Sequence, residues 1–170
     1  TKERTTTQIQ IVTTDGLQVY GNVIKTTDRD LYIYSPGFFS SMGNIISSNN
    51  YSYNNTFYNV RNPNMRMLGT AFGNENRNNI YVNNDHQFAN AGVISTNNFY
   101  YLPSGSNVPS GELGQVISTR SPFVNMPYDF RLADNSEAID RGMSLASDYA
   151  TDYIGTPRPQ GSAWDIGADE

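Results

Sequence analysis

The sequence predicts an all-β chain in which short strands stack as successive coils of a solenoid. Three features of the 170 residues predict it: strand-and-turn composition, a recurring apolar pair, and Asn at the breaks between strands. Most of the chain divides into short runs rich in Val, Ile, Tyr and Phe, separated by Asn, Gly, Ser and Thr. Gln8-Ile9-Gln10-Ile11-Val12, Leu31-Tyr32-Ile33-Tyr34 and Asn79-Ile80-Tyr81-Val82 are examples. Helix signals are scarce, and only Met143 to Tyr149 has some helical character.

The repeat sets the architecture. Val23-Ile24, Ile45-Ile46, Met67-Leu68, Val93-Ile94, Val116-Ile117 and Ala138-Ile139 follow one another at steps of 22, 22, 26, 23 and 22 residues. Neighbours repeat too: Ile46-Ser47-Ser48-Asn49-Asn50 matches Ile94-Ser95-Thr96-Asn97-Asn98, each followed by aromatics. A period of 22–26 residues has room for two or three strands and their corners at about 3.3 Å per residue, which fits a coil of a β-solenoid. About six to seven such coils are expected, residues 1–128 forming the stack and 129–170 a final coil and capping loop of the same domain. Val23, Ile45, Met67, Val93 and Val116 are then expected to form an inward ladder. Asn at the corners takes left-handed backbone angles and bonds the next coil. A β-sandwich also has many short strands, but it does not require a whole register to recur at this period.

Composition excludes several functions. The chain has 21 Asn but only 2 Lys and 9 Arg, and its net charge is −5. Phosphate binding needs clustered Lys and Arg, so no nucleic-acid partner is expected. No apolar run approaches about 18 residues, so no membrane span is expected. There is no Cys, so the fold must hold by backbone pairing and packing. The start Thr1-Lys2-Glu3-Arg4 has neither Met nor an apolar leader and reads as a processed or truncated beginning.

Residues 121 to 170 follow a different pattern. Ser121-Pro122-Phe123-Val124-Asn125 leads into Asp129-Phe130-Arg131-Leu132 and then Asn135-Ser136-Glu137-Ala138-Ile139-Asp140-Arg141-Gly142. Asp152, Gly155-Thr156-Pro157-Arg158-Pro159 and Trp164-Asp165-Ile166-Gly167-Ala168-Asp169-Glu170 complete it. This segment resembles the close of right-handed parallel β-helix proteins of the pectate-lyase-like kind. The departures are Ser121 where an acidic residue usually precedes Pro, and Glu137 where Pro is usual. The resemblance implies a right-handed parallel β-helix from a bacterial protein, secreted or at the cell surface. It also implies a polysaccharide-processing parent, since the family includes lyases, epimerases and glycosidases. The matched segment carries no catalytic motif of its own.

Its acidic residues have a structural reading. Asp140, Asp152 and Asp165, with Arg158 as a bidentate partner, are expected to pin a loop that caps the last coil against edge pairing. Calcium is the alternative, since hard oxygen ligands suit it, but no DxDxDG-type spacing is present, and no metal site is assigned.

Catalytic groups are few. Between Leu31 and Tyr128 the acids are Glu75, Asp85 and Glu112, and the bases Arg61, Arg66, Arg77 and Arg120 with His86. Arg66, Arg77 and Glu75 are the weak candidates for catalysis. Asp85 and His86 are adjacent, so a strand would point them to opposite faces. Paired carboxylates for glycoside hydrolysis need about 5 to 9.5 Å between them, and Glu75 and Asp85 lie less than half a repeat apart. Glycan binding has more support, because sugars are held by aromatic faces with amide and hydroxyl hydrogen bonds. Tyr51, Tyr53, Tyr58, Tyr100 and Tyr101 are the candidate glycan contacts. Two N-x-S/T triplets, at Asn50 and Asn54, are expected from composition alone.

Three readings compete. The chain completes and caps a polysaccharide-processing β-helix with glycan contacts on its aromatic face; or its coils are themselves catalytic; or it is a surface module. The last would stack its first coil on a missing N-terminal region or another chain.

Overall fold

The computed structural model describes residues 11–12, 16–25, 38–39, 46–59, 70–83, 93–102 and 112–170. Over these the chain is all-β with parallel sheets. The strands are β1 (Ile11–Val12), β2 (Gln18–Tyr20), β3 (Val23–Lys25), β4 (Phe38–Phe39), β5 (Ile46–Ser48), β6 (Tyr51–Tyr53) and β7 (Thr56–Tyr58). They continue as β8 (Thr70–Phe72), β9 (Asn74–Arg77), β10 (Ile80–Val82), β11 (Val93–Thr96), β12 (Phe99–Tyr101) and β13 (Val116–Ser118). An antiparallel hairpin of β14 (Phe123–Asn125) and β15 (Asp129–Leu132) follows. A 3-10 turn at Ser147–Tyr149 is the helical element among the described residues.

Most consecutive strands go to different sheets, the exceptions being β12 with β13 and the β14–β15 hairpin. One parallel sheet has the order β11-β9-β6-β2, the next β13-β12-β10-β7-β3, and a third is β5-β8. The chain therefore turns a corner after almost every strand. The corners explain the Asn content. Gly21, Asn54, Asn78 and Asn97 join the first two sheets with φ of 63°, 51°, 55° and 53°. This left-handed region is open to Gly and tolerated by Asn, whose short amide bonds locally.

The residue after each of these turns forms a ladder. Asn22, Asn55 and Asn79 each donate both their backbone N–H and their Nδ2 to the Oδ1 of the next Asn, at 2.8 to 3.1 Å. Asn98 ends the row by donating to Glu112 Oε1 at 2.9 and 2.7 Å. A carboxylate accepts without donating, so it suits a terminal position where no further corner follows. A shorter row runs along the neighbouring corner, from the Leu17 N–H to Asn50 and from Asn50 to Asn74.

Between the two larger sheets lies an aromatic and amide interior. Ile24, Phe57, Tyr81, Tyr100 and Ile117 fall on one row. Phe57 stacks on Tyr81 and Tyr81 on Tyr100, both at 5.2 Å and nearly parallel. The facing row is Val19, Ser52, Asn76 and Ser95. Tyr81 Oη crosses to Asn76 Oδ1 at 2.8 Å, and Tyr100 Oη to Glu112 Oε2 at 2.8 Å. Burial drives the hydroxyls of both tyrosines well above their usual pKa, so they stay protonated donors.

The register corrects two expectations. Val23 and Val116 do share a row, but Val93 belongs to the other sheet, opposite Asn74, and Ile45 and Met67 lie outside the described residues. The recurring apolar pair mixes positions from different sheets. The ladder spacing is not 22 to 26 residues throughout. It is 33, then 24, then 19 between ladder residues, and Phe99 to Val116 is 17 by subtraction. Strand and corner geometry is fixed by hydrogen bonds, while the number of residues from one ladder position to the next is not.

The closing segment packs on one of the two large sheets. Phe123, Phe130, Ala138 and Ile166 pack on Ile80, Val82 and Phe99, with Val23 and Val116 at the margins, so the segment lies along the flank of the β3–β13 sheet. Gly167 N–H reaches Asn78 O at 2.8 Å, Ala168 N–H reaches Thr56 Oγ1 at 3.2 Å, and Asn97 Nδ2 reaches Arg141 O at 3.0 Å. Residues from several successive strands are thus tied together laterally. Within the segment the carboxylates do bind backbone N–H groups as expected. Asp152 accepts from Ile154 and Thr156, Asp140 from Ala163, Asp165 from Asp140, and Asp169 from Leu132, all at 2.7 to 2.9 Å. Arg158 is not paired to any of these Asp side chains. It is buried against Glu170 Oε2 at 2.8 Å and donates to the carbonyls of Asp165 and Gly167.

Candidate functional site

The outward side of the β11-β9-β6-β2 sheet carries two rows. One is Gln18, Tyr51, Glu75 and Ile94; the other is Tyr20, Tyr53, Arg77 and Thr96, extended to Leu113 by a parallel bridge. Strand alternation puts these side chains on the face opposite the Ser52–Asn76 interior. The closing segment comes back over part of this face. Asn78 fixes it there, donating Nδ2 to Met143 O at 2.8 Å and accepting from Met143 N–H at 3.0 Å.

A groove of about 340 Å³ opens between the strands and this segment, lined by Tyr51, Tyr53, Glu75, Arg77, Ser144, Leu145, Ala146 and Tyr149. That volume is at the small end of ligand pockets. Tyr51 stacks on Tyr53 at 5.4 Å and 6°, while Tyr149 stands edge-on to Tyr53 at 4.9 Å and to Tyr20 at 4.8 Å. The Tyr53 hydroxyl donates to Glu75 Oε2, and Glu75 Oε1 pairs with Arg77 Nη2 at 3.0 Å. Arg77 Nη1 also touches Met143 Sδ at 3.5 Å. Burial, then the bond to Glu75, pushes the Tyr53 hydroxyl far above its usual pKa, so it remains a donor and not a base.

This arrangement limits the chemistry. Among the described residues Glu75 is the one carboxylate lining the groove, and glycoside hydrolysis uses two. Arg77 Nη2 is held by Glu75 Oε1 at 3.0 Å, so its guanidinium is already engaged within the groove. An aromatic wall beside a polar floor of carboxylate, guanidinium and phenol suits binding of an amphipathic, hydroxyl-rich molecule.

Four of the residues singled out in the sequence, Tyr51, Tyr53, Glu75 and Arg77, therefore meet in one groove. The other tyrosines do not join them. Tyr100 is fully buried with its ring between Tyr81 and the end of the stack, so it has no face to offer a sugar. Tyr58 and Tyr101 are on the other large sheet and pack towards the closing segment, Tyr58 edge-on to Phe130 at 5.4 Å. Arg66, Asp85 and His86 lie outside the described residues. Tyr149, Leu145 and Tyr20 were not foreseen. The one signal was the helical character of Met143 to Tyr149, which becomes the 3-10 turn that aims Tyr149 at the strands. Asn50 and Asn54 are buried, so neither N-x-S/T triplet offers an open amide.

Among the described residues no three His, Asp, Glu or Cys side chains converge to hold a metal ion, and no helix is long and apolar enough to cross a membrane. Comparison with family models, curated proteins and solved structures returns no match.

Proposed function

We propose that the chain is a glycan-binding portion of a secreted or cell-surface bacterial right-handed parallel β-helix of the polysaccharide-processing type. In this reading the parallel sheets are faces of one solenoid, and the closing segment braces its flank. The observation that carries the proposal is the groove in which Tyr51, Tyr53 and Tyr149 surround the Glu75–Arg77 pair. Tyr51, the partly exposed ring of the three, takes the apolar C–H face of a sugar and is held in place by the buried Tyr53, while Glu75 accepts from the sugar hydroxyls and Arg77 donates to them. Binding without turnover is favoured over catalysis because, among the described residues, one carboxylate lines the groove and its guanidinium partner is already engaged.

Glycan-array screening followed by titration calorimetry tests this. The chain is expected to bind at least one polysaccharide, and Tyr51→Ala is expected to weaken it by about ten-fold or more, the scale of about 1.4 kcal/mol. Absence of any glycan ligand, or binding unaffected by Tyr51→Ala, would remove the proposal.

A further inference from the structure

The thioether of Met143 meets hydrogen-bond donors where a methionine sulfur ordinarily meets carbon. Arg77 Nη1 on β9 and Thr96 Oγ1 on β11 both donate to its Sδ at 3.5 Å. The backbone of the same residue is clamped, since Asn78 donates Nδ2 to Met143 O at 2.8 Å and accepts its N–H at 3.0 Å. Met143 thus lies across two strands in one fixed place. It is partly exposed and is followed by the exposed Ser144, so small solutes reach it from solvent. Met126, the other methionine among the described residues, packs against the hydrophobic core.

Arg77 is short of oxygen acceptors. Its Nη2 has Glu75 Oε1 at 3.0 Å and its Nη1 has the Met143 sulfur, while the buried Nε meets no acceptor among the described residues. A thioether is a weak acceptor, whereas oxidation to the sulfoxide makes the side chain polar and adds an oxygen. An oxygen on Sδ directed between the two donors falls within ordinary hydrogen-bond range of both, because each already stands 3.5 Å from the sulfur. Sulfoxide formation usually disrupts a packed methionine by putting a polar group among carbon atoms. Here it supplies an acceptor to a guanidinium and a hydroxyl that lack one.

We propose that Met143 is a peroxide-responsive modification site whose sulfoxide clamps the closing segment onto β9 and β11. The sulfur lone pair attacks one oxygen of hydrogen peroxide, the O–O bond breaks, and the other oxygen leaves as water with both protons. The sulfur is oxidised by two electrons and the peroxide is reduced by two. The new oxygen accepts from Arg77 Nη1 and Thr96 Oγ1. Arg77 Nη1 is then withdrawn from the groove, so a glycan binds there more weakly; that last consequence alone rests on the glycan reading.

Hydrogen peroxide treatment of the folded chain, followed by peptide mass mapping and urea denaturation, tests this on the parent, Met143→Leu and Thr96→Val. In the parent, Met143 should gain one oxygen. Its oxidation should raise the folding equilibrium constant about ten-fold, the scale of one hydrogen bond to a charged group. The gain is read as the parent's shift against that of Met143→Leu under the same treatment, so oxidation of the remaining methionines cancels. Methionine sulfoxide reductases of both epimer specificities should reverse it. Thr96→Val removes one donor and should shrink the gain without lowering the extent of oxidation at Met143. Met143 left unmodified in the folded chain, or a parent that gains no stability over Met143→Leu, would overturn the inference and leave the glycan reading standing.

Discussion

Asn79 is the residue on which the ladder can be tested most sharply. It is fully buried, accepts from the Asn55 backbone N–H and Nδ2 at 2.9 and 3.0 Å, and donates Nδ2 to Ser52 O and Arg77 O at 2.9 and 3.0 Å. Asn79→Ala removes the acceptor that satisfies the buried Asn55 N–H, at about 1–3 kcal/mol, and the amide's own bonds at about 0.5–1.5 kcal/mol each. Asn79→Ala is therefore expected to cost roughly 3–5 kcal/mol. Asn22, the first residue of the same row, is exposed and uses its Nδ2 towards Tyr20 O and Asn55 Oδ1. Water replaces those bonds in Asn22→Ala, so its cost should stay below about 1 kcal/mol. Urea denaturation followed by circular dichroism, with linear extrapolation at constant m, measures both. Equal costs for the two variants would refute the ladder as a source of stability, because composition and helix propensity do not distinguish them.

Two further predictions concern the closing segment. Burial pushes the Asp165 carboxyl up to about 6 from an ordinary 3.8, so between these values the folded chain holds a proton that the unfolded chain has released. Its contribution to stability is present below about pH 4 and lost as pH rises through about 6. Asp165→Asn keeps an oxygen for the Asp140 N–H and carries no charge. It should match the parent at about pH 4 and exceed it in stability at neutral pH; a variant weaker than the parent at neutral pH would contradict the assignment. Gly167 has φ of +113°, and a Cβ there would lie 2.5 Å from Ile80 Cδ1 and 3.0 Å from Cγ1. Gly167→Ala should destabilise the protein by about 1–3 kcal/mol through crowding in a packed core. A thermal midpoint unchanged from the parent would mean the segment is not seated on Ile80.

The strand-and-corner chemistry was legible in the sequence because it is local. Gly21-Asn22, Asn54-Asn55, Asn78-Asn79 and Asn97-Asn98 are the left-handed residue and the ladder residue side by side, and both roles follow from the side chain. The register was less legible. Ile46-Ser47-Ser48-Asn49-Asn50 and Ile94-Ser95-Thr96-Asn97-Asn98 are alike because each is a strand entering a corner, yet β5 and β11 belong to different sheets. A pattern that recurs at more than one corner cannot by itself say which corner it occupies. The flank position of the closing segment was hidden for another reason: its acidic residues bind their own backbone, and the contacts that orient it are made by Gly167, Ala168 and Met143, which carry no pattern. Half of the site followed from this. Tyr51, Tyr53, Glu75 and Arg77 are neighbours through strand register, but Tyr149 reaches them only because the segment folds back.

The stacked register itself can be measured by engineered cysteines, since the chain has none of its own. Lys25 and Tyr58 are parallel partners on adjacent strands, and such partners lie about 4.8 Å apart, within the span of a disulfide. Val93 and Val116, which the sequence period alone would stack, belong to different sheets. Mild oxidation should close Lys25→Cys/Tyr58→Cys and leave Val93→Cys/Val116→Cys as free thiols, read by mass and thiol titration. Closure of the second pair with the first left open would contradict the parallel arrangement on which the groove depends.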